Sequence, residues 1–414
     1  MEKIFNIDIK GWLRLLMVSG RRILLSVIIL QVFACNEPND TEPSANFLKI
    51  YDDTRFNASY LPIDIVQTQD EGFLILSGTR IESSDFIGLF VMKVNRDGNF
   101  IDKVFFPETV VHPVAHWLQS NDVYYFFAMD ATSLGVLLYS VSQGGNLLDP
   151  VNVNATYPLH ASMEGNNFLL LSFDNNSKST VLSVVTPEGN IQNNRSFSIG
   201  PGEGIEEPVI DHFTRTGRQF PFLTGRSSDG LYYFNGFYNY TFSLVFTDLN
   251  SDDPAGVVQG QREEGGFSAL LPLGSNVYAA SRFNFGDNYV LPNTSISSSG
   301  ISSVTDMGGN PALEWVPDAK VAIERLTINN IEVVLYASTT KNSQIIISIY
   351  AESDGTWMGT DYLGFSTPYK LVELSKTSDN GLVILGSTAV AGRFERVCLF
   401  KLSQENLINI IQTQ

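Results

Sequence analysis

Histidine has the widest chemical range of any residue type in this chain, and three of the four histidines recur at one interval. His116, His160 and His212 each stand eight residues before an aromatic, namely Tyr124, Phe168 and Phe220. Pairing Gln119 and Asp122 with Gln67 and Asp70 shifts His116 by one place in that register. Such a repeat would place the three on the inner strands of neighbouring units, where imidazoles could bind a transition metal, since imidazole suits zinc, copper and nickel. Three independent polar residues in a wall or core would leave the same spacing, and no short-spaced ligand pair accompanies them.

The carboxylates gather at Glu203, Glu206, Glu207 and Asp211, at Asp252-Asp253 and at Glu263-Glu264. Two carboxylates flanking a channel can act as acid and base on a glycosidic bond. Solvated loops of an acidic chain explain the clusters as well, and no catalytic residue is assigned. Gly200-Pro201-Gly202-Glu203-Gly204 has no following Lys-Ser/Thr and is no phosphate loop. Neither a Gly-x-Ser-x-Gly elbow nor a Cys–His pair is present. Asn95-Arg96-Asp97-Gly98-Asn99 has the look of a calcium loop but lacks its closing glutamate, so it reads as a hairpin turn. Aromatics crowd residues 220–289, and Tyr238, Tyr240, Phe285 and Tyr289 fall where loops are expected. They could stack on a sugar or a protein partner, or simply pack. No cofactor motif is found, and none is expected to be needed.

These residues must be carried by short strands. Thr68-Gln69-Asp70-Glu71-Gly72-Phe73-Leu74-Ile75-Leu76 near the start matches Thr377-Ser378-Asp379-Asn380-Gly381-Leu382-Val383-Ile384-Leu385 near the end. Each is followed by an apolar run centred on a lysine, Lys93 or Lys401. That is a turn, a buried strand, a second turn and another strand. A second marker recurs at Gly98-Asn99, Gly145-Asn146, Gly189-Asn190, Gly309-Asn310 and, loosely, Gly355-Thr356, with glycine spacings of 47, 44, 120 and 46. Glycine and asparagine tolerate the positive φ that tight hairpins require. The long gap predicts a degenerate unit turning near Asn250-Ser251-Asp252, and the last unit is read to turn at Gln404-Glu405-Asn406.

Seven four-stranded units of this period predict an all-β fold, a single seven-bladed β-propeller with no useful helical run. Two β-sandwiches would satisfy the strand pattern too, but no linker splits the chain; the period is too long for one solenoid coil. The blades are read at about 60–107, 111–155, 156–200, 205–260, 264–316, 318–365 and 367–414, within a domain of 46–414. Residues 46–59 could add the strand that closes the ring. Extra length is expected near Asn235–Tyr240 and Phe283–Ser303, where binding loops would concentrate. Together the T-x-D-x-G and Gly-Asn units resemble the degenerate propeller repeats of secreted and surface proteins from the Bacteroidota. The resemblance implies a fold and not an activity.

The N-terminus carries an address. Arg21 and Arg22 precede an apolar run, Ile23 to Phe33, and small Ala34 precedes Cys35. Such a run is too short for a bilayer core, which takes about 20 residues. Val32-Phe33-Ala34-Cys35 resembles the bacterial lipobox, which implies cleavage after residue 34 and a lipid on Cys35. An ordinary signal peptide with a chance cysteine is the alternative. Residues 35–45 are polar, acidic and proline-containing and should form a tether. An acidic stretch after the cysteine resembles the surface-export signal of Bacteroidota lipoproteins, which implies the outer membrane and its outer face.

Residues 1–34 hold five basic and two acidic residues, so their removal takes the formal charge from −18 to −21. Such a surface repels phosphate backbones, and nucleic acid is not an expected partner. With Cys35 acylated, Cys398 has no partner for an intramolecular disulfide and reads as a buried, inert thiol. The whole describes an exported, lipid-anchored propeller that binds or scaffolds at the cell envelope, its partner a glycan, a peptide or an envelope protein. An exported glycosidase or lyase is the rival, and enzyme activity is left open. Mass spectrometry of membrane-extracted protein is expected to find an acylated Cys35 and no peptide upstream of it. Cys35→Ala is expected to release the body, and an unmodified Cys35 in that fraction overturns the assignment.

Overall fold

The Asp-Gly turns and apolar runs of the sequence become antiparallel hairpins in a computed structural model that describes residues 46–52, 59–390 and 394–412. The leader, Cys35 and the tether lie outside the described residues. In the first repeat, strands Tyr60–Gln67, Phe73–Arg80, Ile87–Val94 and Phe100–Phe105 pair in that order. The middle two are buried on both faces, which is why their sequences are unbroken apolar runs. The same four-stranded meander recurs at 158–198 and 321–363. Residues 60–156 form one nine-stranded sheet in which the two-residue strand Val110–Val111 stitches two such meanders together.

The sheets follow one another around a closed ring, the architecture of a β-propeller. The first strand of each meander lies toward the centre: Tyr369–Lys376 touches both Val321–Ile328 and Tyr60–Gln67. Apolar clusters glue each sheet to the next, and one joins the last to the first through Ile65, Phe73 and Phe90 against Val383, Leu385 and Leu399. Closure comes from Phe47–Tyr51, which pairs antiparallel with Phe394–Leu402 as the outer strand of the last sheet.

The repeat motif has a physical cause. The Asp70 carboxylate accepts the Gly72 N–H at 3.2 Å and meets the buried Lys93 ammonium at 2.8 Å. The Asp379 carboxylate does the same with the Gly381 N–H at 3.1 Å and Lys401 at 2.9 Å. The lysine inside each apolar run is thus the counter-ion of its own turn. Glycine is required at the fifth place, because a Cβ on Gly72 or Gly381 would come within 2.5 or 2.4 Å of the Val94 or Leu402 carbonyl.

Three expectations are corrected. Gln404-Glu405-Asn406 opens a helix, α2 (Gln404–Gln412), instead of a hairpin, because Phe47–Tyr51 already fills the fourth-strand place. Leu407 and Ile410 of α2 are buried in the core between the last two sheets, and a second helix, α1 (Glu207–His212), stands before the fourth repeat. Asn235–Tyr240 is not an insertion; it belongs to the regular hairpin Tyr232–Tyr238 and Thr241–Thr247. The extra residues of that repeat are 199–222. The excursion after Asp287–Ser295 does exist, and its strand Gly300–Ser303 pairs in parallel with Gly256–Gln259 of the neighbouring sheet. Among the described residues no helix is long and apolar enough to cross a membrane.

Burial would raise the Asp379 carboxyl, but the hydrogen bonds from Lys401 and Thr377 and the lysine charge hold it below its ordinary value. A lowered folded value stabilises above the unfolded pKa of about 3.9, and the stabilisation fades as pH falls through the folded value. The carboxylate is half exposed, so screening limits its worth, and Asp379→Asn should cost about 1 kcal/mol at pH 7. Urea unfolding is expected to show that difference at pH 7 and to show it shrinking progressively as pH falls below about 3.9.

A candidate site in the central cavity

The inner strands are not regular. Four of them carry an extra residue that breaks the register, at Ile63, Leu159, Ser268 and Val372. A bulge re-aims the side chains beside it. In three of the four strands the next residue is chemically active: Asp64, His160 and Glu373. His116 comes from the irregular 112–117 segment, which leans on the strand Pro158–Glu164 through the Ala161 N–H to the Ala115 carbonyl at 3.1 Å.

These residues surround a cavity of about 450 Å3 at the centre of the ring. His112, His116, His160 and His212, all the histidines of the chain, line it together with Lys320, Glu373, Arg218 and Asp318. Much of the remaining wall is apolar, with Leu159, Phe220, Phe222 and Phe283 among its residues. Asp64 sits behind His116, almost wholly buried, where its carboxylate accepts the Trp117 N–H. His116 Nδ1 lies 3.4 Å from Asp64 Oδ1 and 3.8 Å from Glu373 Oε2, and Lys320 Nζ lies 4.0 Å from the same Glu373 oxygen.

The histidines differ sharply in charge preference. Burial opposes a charge on His116, but the Asp64 carboxylate and then Glu373 outweigh it and push the imidazole up to about 9. Its side chain is 41 % exposed to the cavity, so water there screens part of this attraction. Burial pushes Glu373 up, against the pull of His116 and Lys320. His160, whose Nδ1 lies 3.2 Å from Thr224 Oγ1, is held well below the imidazole range by burial and then by the nearby His116 and Lys320 charges. Burial brings His112 down to about 4. It also lowers His212, whose Nδ1 accepts the Phe220 N–H at 3.0 Å. The result is one cationic imidazole and three neutral ones around a single space.

The structure pairs the histidines in two couples. His116 and His160 meet edge to face with centroids 5.2 Å apart. His212 lies on α1 and not on an inner strand; it faces His112, which the spacing argument passed over, at 5.6 Å. None of the four expected loop aromatics lines the cavity. Tyr238 packs on Phe197, and Tyr240 is exposed with its hydroxyl donating to the Pro201 carbonyl. Phe285 stands exposed on a hairpin tip, and the ring of Tyr289 lies 3.9 Å from the Arg282 guanidinium. The acidic clusters are tied to basic neighbours: Glu206 to Lys178, Asp252 to Arg195, Glu263 to Arg262 and Glu264 to Arg218. In the 95–99 turn the Asn95 side chain accepts the Asp97 and Asn99 N–H groups, a closed hairpin. Cys398 is free and buried, its thiol pushed up to about 12 by burial.

Asp64 and Glu373 escaped notice although a signal existed. Each stands four residues before the threonine of a T-x-D-x-G turn, inside an apolar pair: Ile63-Asp64-Ile65 and Val372-Glu373-Leu374. An acid at one inner-strand place in both of the best-matched repeats points at the centre of a ring.

No family model and no curated protein matches the chain. Among solved structures it is similar to a protein of unknown function from Bacteroides caccae, at 13% identity over 61% of this chain and 82% of that one, with a TM-score of 0.36. It is also similar to the β-propeller domain of the Trilobed protease from Pyrococcus furiosus, at 8% identity over 86% and 98%, with a TM-score of 0.43. Sqt1 from Chaetomium thermophilum is similar at 10% identity over 83% and 98%, with a TM-score of 0.44.

In metal-free protein, NMR titration of the four histidine rings is expected to show one transition near pH 9 and none near 6.5. Asp64→Asn is expected to bring the high transition down. A folded-state value raised in this way stabilises fully below about pH 6.5, and that contribution fades as pH rises through the His116 transition.

Proposed function

We propose that this chain is a binding module of the cell envelope, held by a lipid on Cys35, that takes a small polar ligand into the centre of a seven-bladed propeller. Seven blades follow if the nine-stranded sheet counts as two. The observation that carries the reading is the convergence of all four histidines, with Lys320 and Glu373, on one otherwise largely apolar cavity. Polar groups buried without purpose cost stability, whereas a concave apolar wall with a few convergent polar groups is the ordinary form of a ligand site. A volume of about 450 Å3 suits a small sugar or the end of a glycan or peptide chain. An envelope protein could present such an end.

A second reading is catalytic. Asp64 and Glu373 offer carboxylate oxygens within 4.8 Å of one another, and burial raises Glu373, as a proton donor requires. The two readings part in one experiment. The full chain is screened against mono- and oligosaccharides and short peptides by thermal shift, beside Leu270→Trp, which fills the cavity. Ligands that raise the melting temperature of the parent and not of the variant support the binding reading. Equal capture by both proteins moves the site to the outer surface and overturns it. Turnover of a bound sugar that disappears in Glu373→Gln selects the enzyme.

A further inference from the structure

We propose that Asp64, His116 and Glu373 form a binding site for one divalent first-row transition metal ion, of the zinc or manganese type, in the wall of the central cavity. The inference rests on the cavity being a working site, as above, but it has its own readout.

The geometry is that of three donors facing a common point. Asp64, His116 and Glu373 come from three separate segments of the ring, and one donor atom of each lies within 4.8 Å of the other two. The separations from the imidazole nitrogen are 3.4 Å, at the outer edge of a hydrogen bond, and 3.8 Å, beyond it. Donors bound at 2.0–2.2 Å to one ion stand about 3.0–3.4 Å apart, so a small closure of the gap makes a coordination sphere.

The remaining atoms of the two carboxylates are engaged elsewhere, which aims the donor atoms inward. Asp64 spends Oδ2 on the Trp117 N–H, and Glu373 spends Oε1 on the Leu374 N–H at 3.1 Å. Such outer contacts orient metal ligands. One imidazole with two carboxylates is a donor set of intermediate hardness, suited to zinc or manganese and not to copper(I). Lys320 borders the gap, but its side chain is half exposed and can turn into the cavity when a cation enters. His116 also lines the central cavity, so an ion held by it would stand at the cavity wall.

The test uses the full chain, stripped with a chelator and titrated with Zn2+ and with Mn2+ alone by calorimetry. One equivalent is expected to bind, with affinity about 100-fold weaker in Asp64→Asn, His116→Gln and Glu373→Gln, and unchanged in Asp379→Asn. If a variant does not fold, anomalous scattering from the unmodified protein soaked in either ion decides, with one peak expected between the three donors. No stoichiometric binding, binding that survives the three substitutions, or a peak at the His112–His212 couple overturns the proposal. No metal binding, beside ligand uptake by the stripped protein, would sink this inference and leave the binding reading standing.

Discussion

The pairing of Phe47–Tyr51 with Phe394–Leu402 is the constraint on which the rest depends. A ring of sheets has no core at its seam until its two ends meet. Here the seam is held by backbone hydrogen bonds outside and by the Ile65, Phe73, Phe90, Leu385 and Leu399 cluster inside. The same closure brings Tyr60–Gln67 beside Tyr369–Lys376. Asp64 and Glu373 ride on these two strands, one from the first repeat and one from the last. The polar centre therefore exists only because the ring is shut.

Around that centre the chain uses charge sparingly and in two ways. At the rim, Lys93 and Lys401 hold the turns Asp70 and Asp379 against their own sheets, half in water, where each pair is worth little but fixes a corner. In the middle, the carboxylates of Asp64 and Glu373 sit where water is limited and attraction is stronger, while His116 and Lys320 stay partly open to the cavity. The rim pairs belong to the repeat and recur with it. In the central group only Asp64 and Glu373 hold equivalent places, while His116 and Lys320 come from irregular segments, and this is the mark of a site laid over a scaffold.

That division also explains what could be read from the residues alone. Turn chemistry is local, so Thr68–Gly72, Thr377–Gly381 and the Gly-Asn hairpins disclosed strands and their period without any knowledge of packing. The closing strand was legible only as a short, largely apolar run, Phe47–Tyr51, left over ahead of the first repeat. The two helices were not: α1 is too short to show a period, and α2 takes a place that only closure removes from a strand. At the centre, His116 and His160 were visible through spacing, while His112 lies outside that register and carries no local signal. Asp64 and Glu373 needed the two end repeats to be aligned at the inner strand, and a bulge of one residue there hides which side a side chain faces.

The seam also sets an order of events. Its two strands lie about 350 residues apart in the chain, so the first strand must wait, unpaired, until Phe394–Leu402 has been made and delivered. Closing so long a loop is entropically slow, and contacts of this range come late in folding. A chain cut short before Phe394–Leu402 lacks the partner of Phe47–Tyr51 and leaves an open edge and an unjoined centre. The pocket is thereby made to depend on both ends of the ring, since Asp64 and Glu373 meet only where those ends are joined.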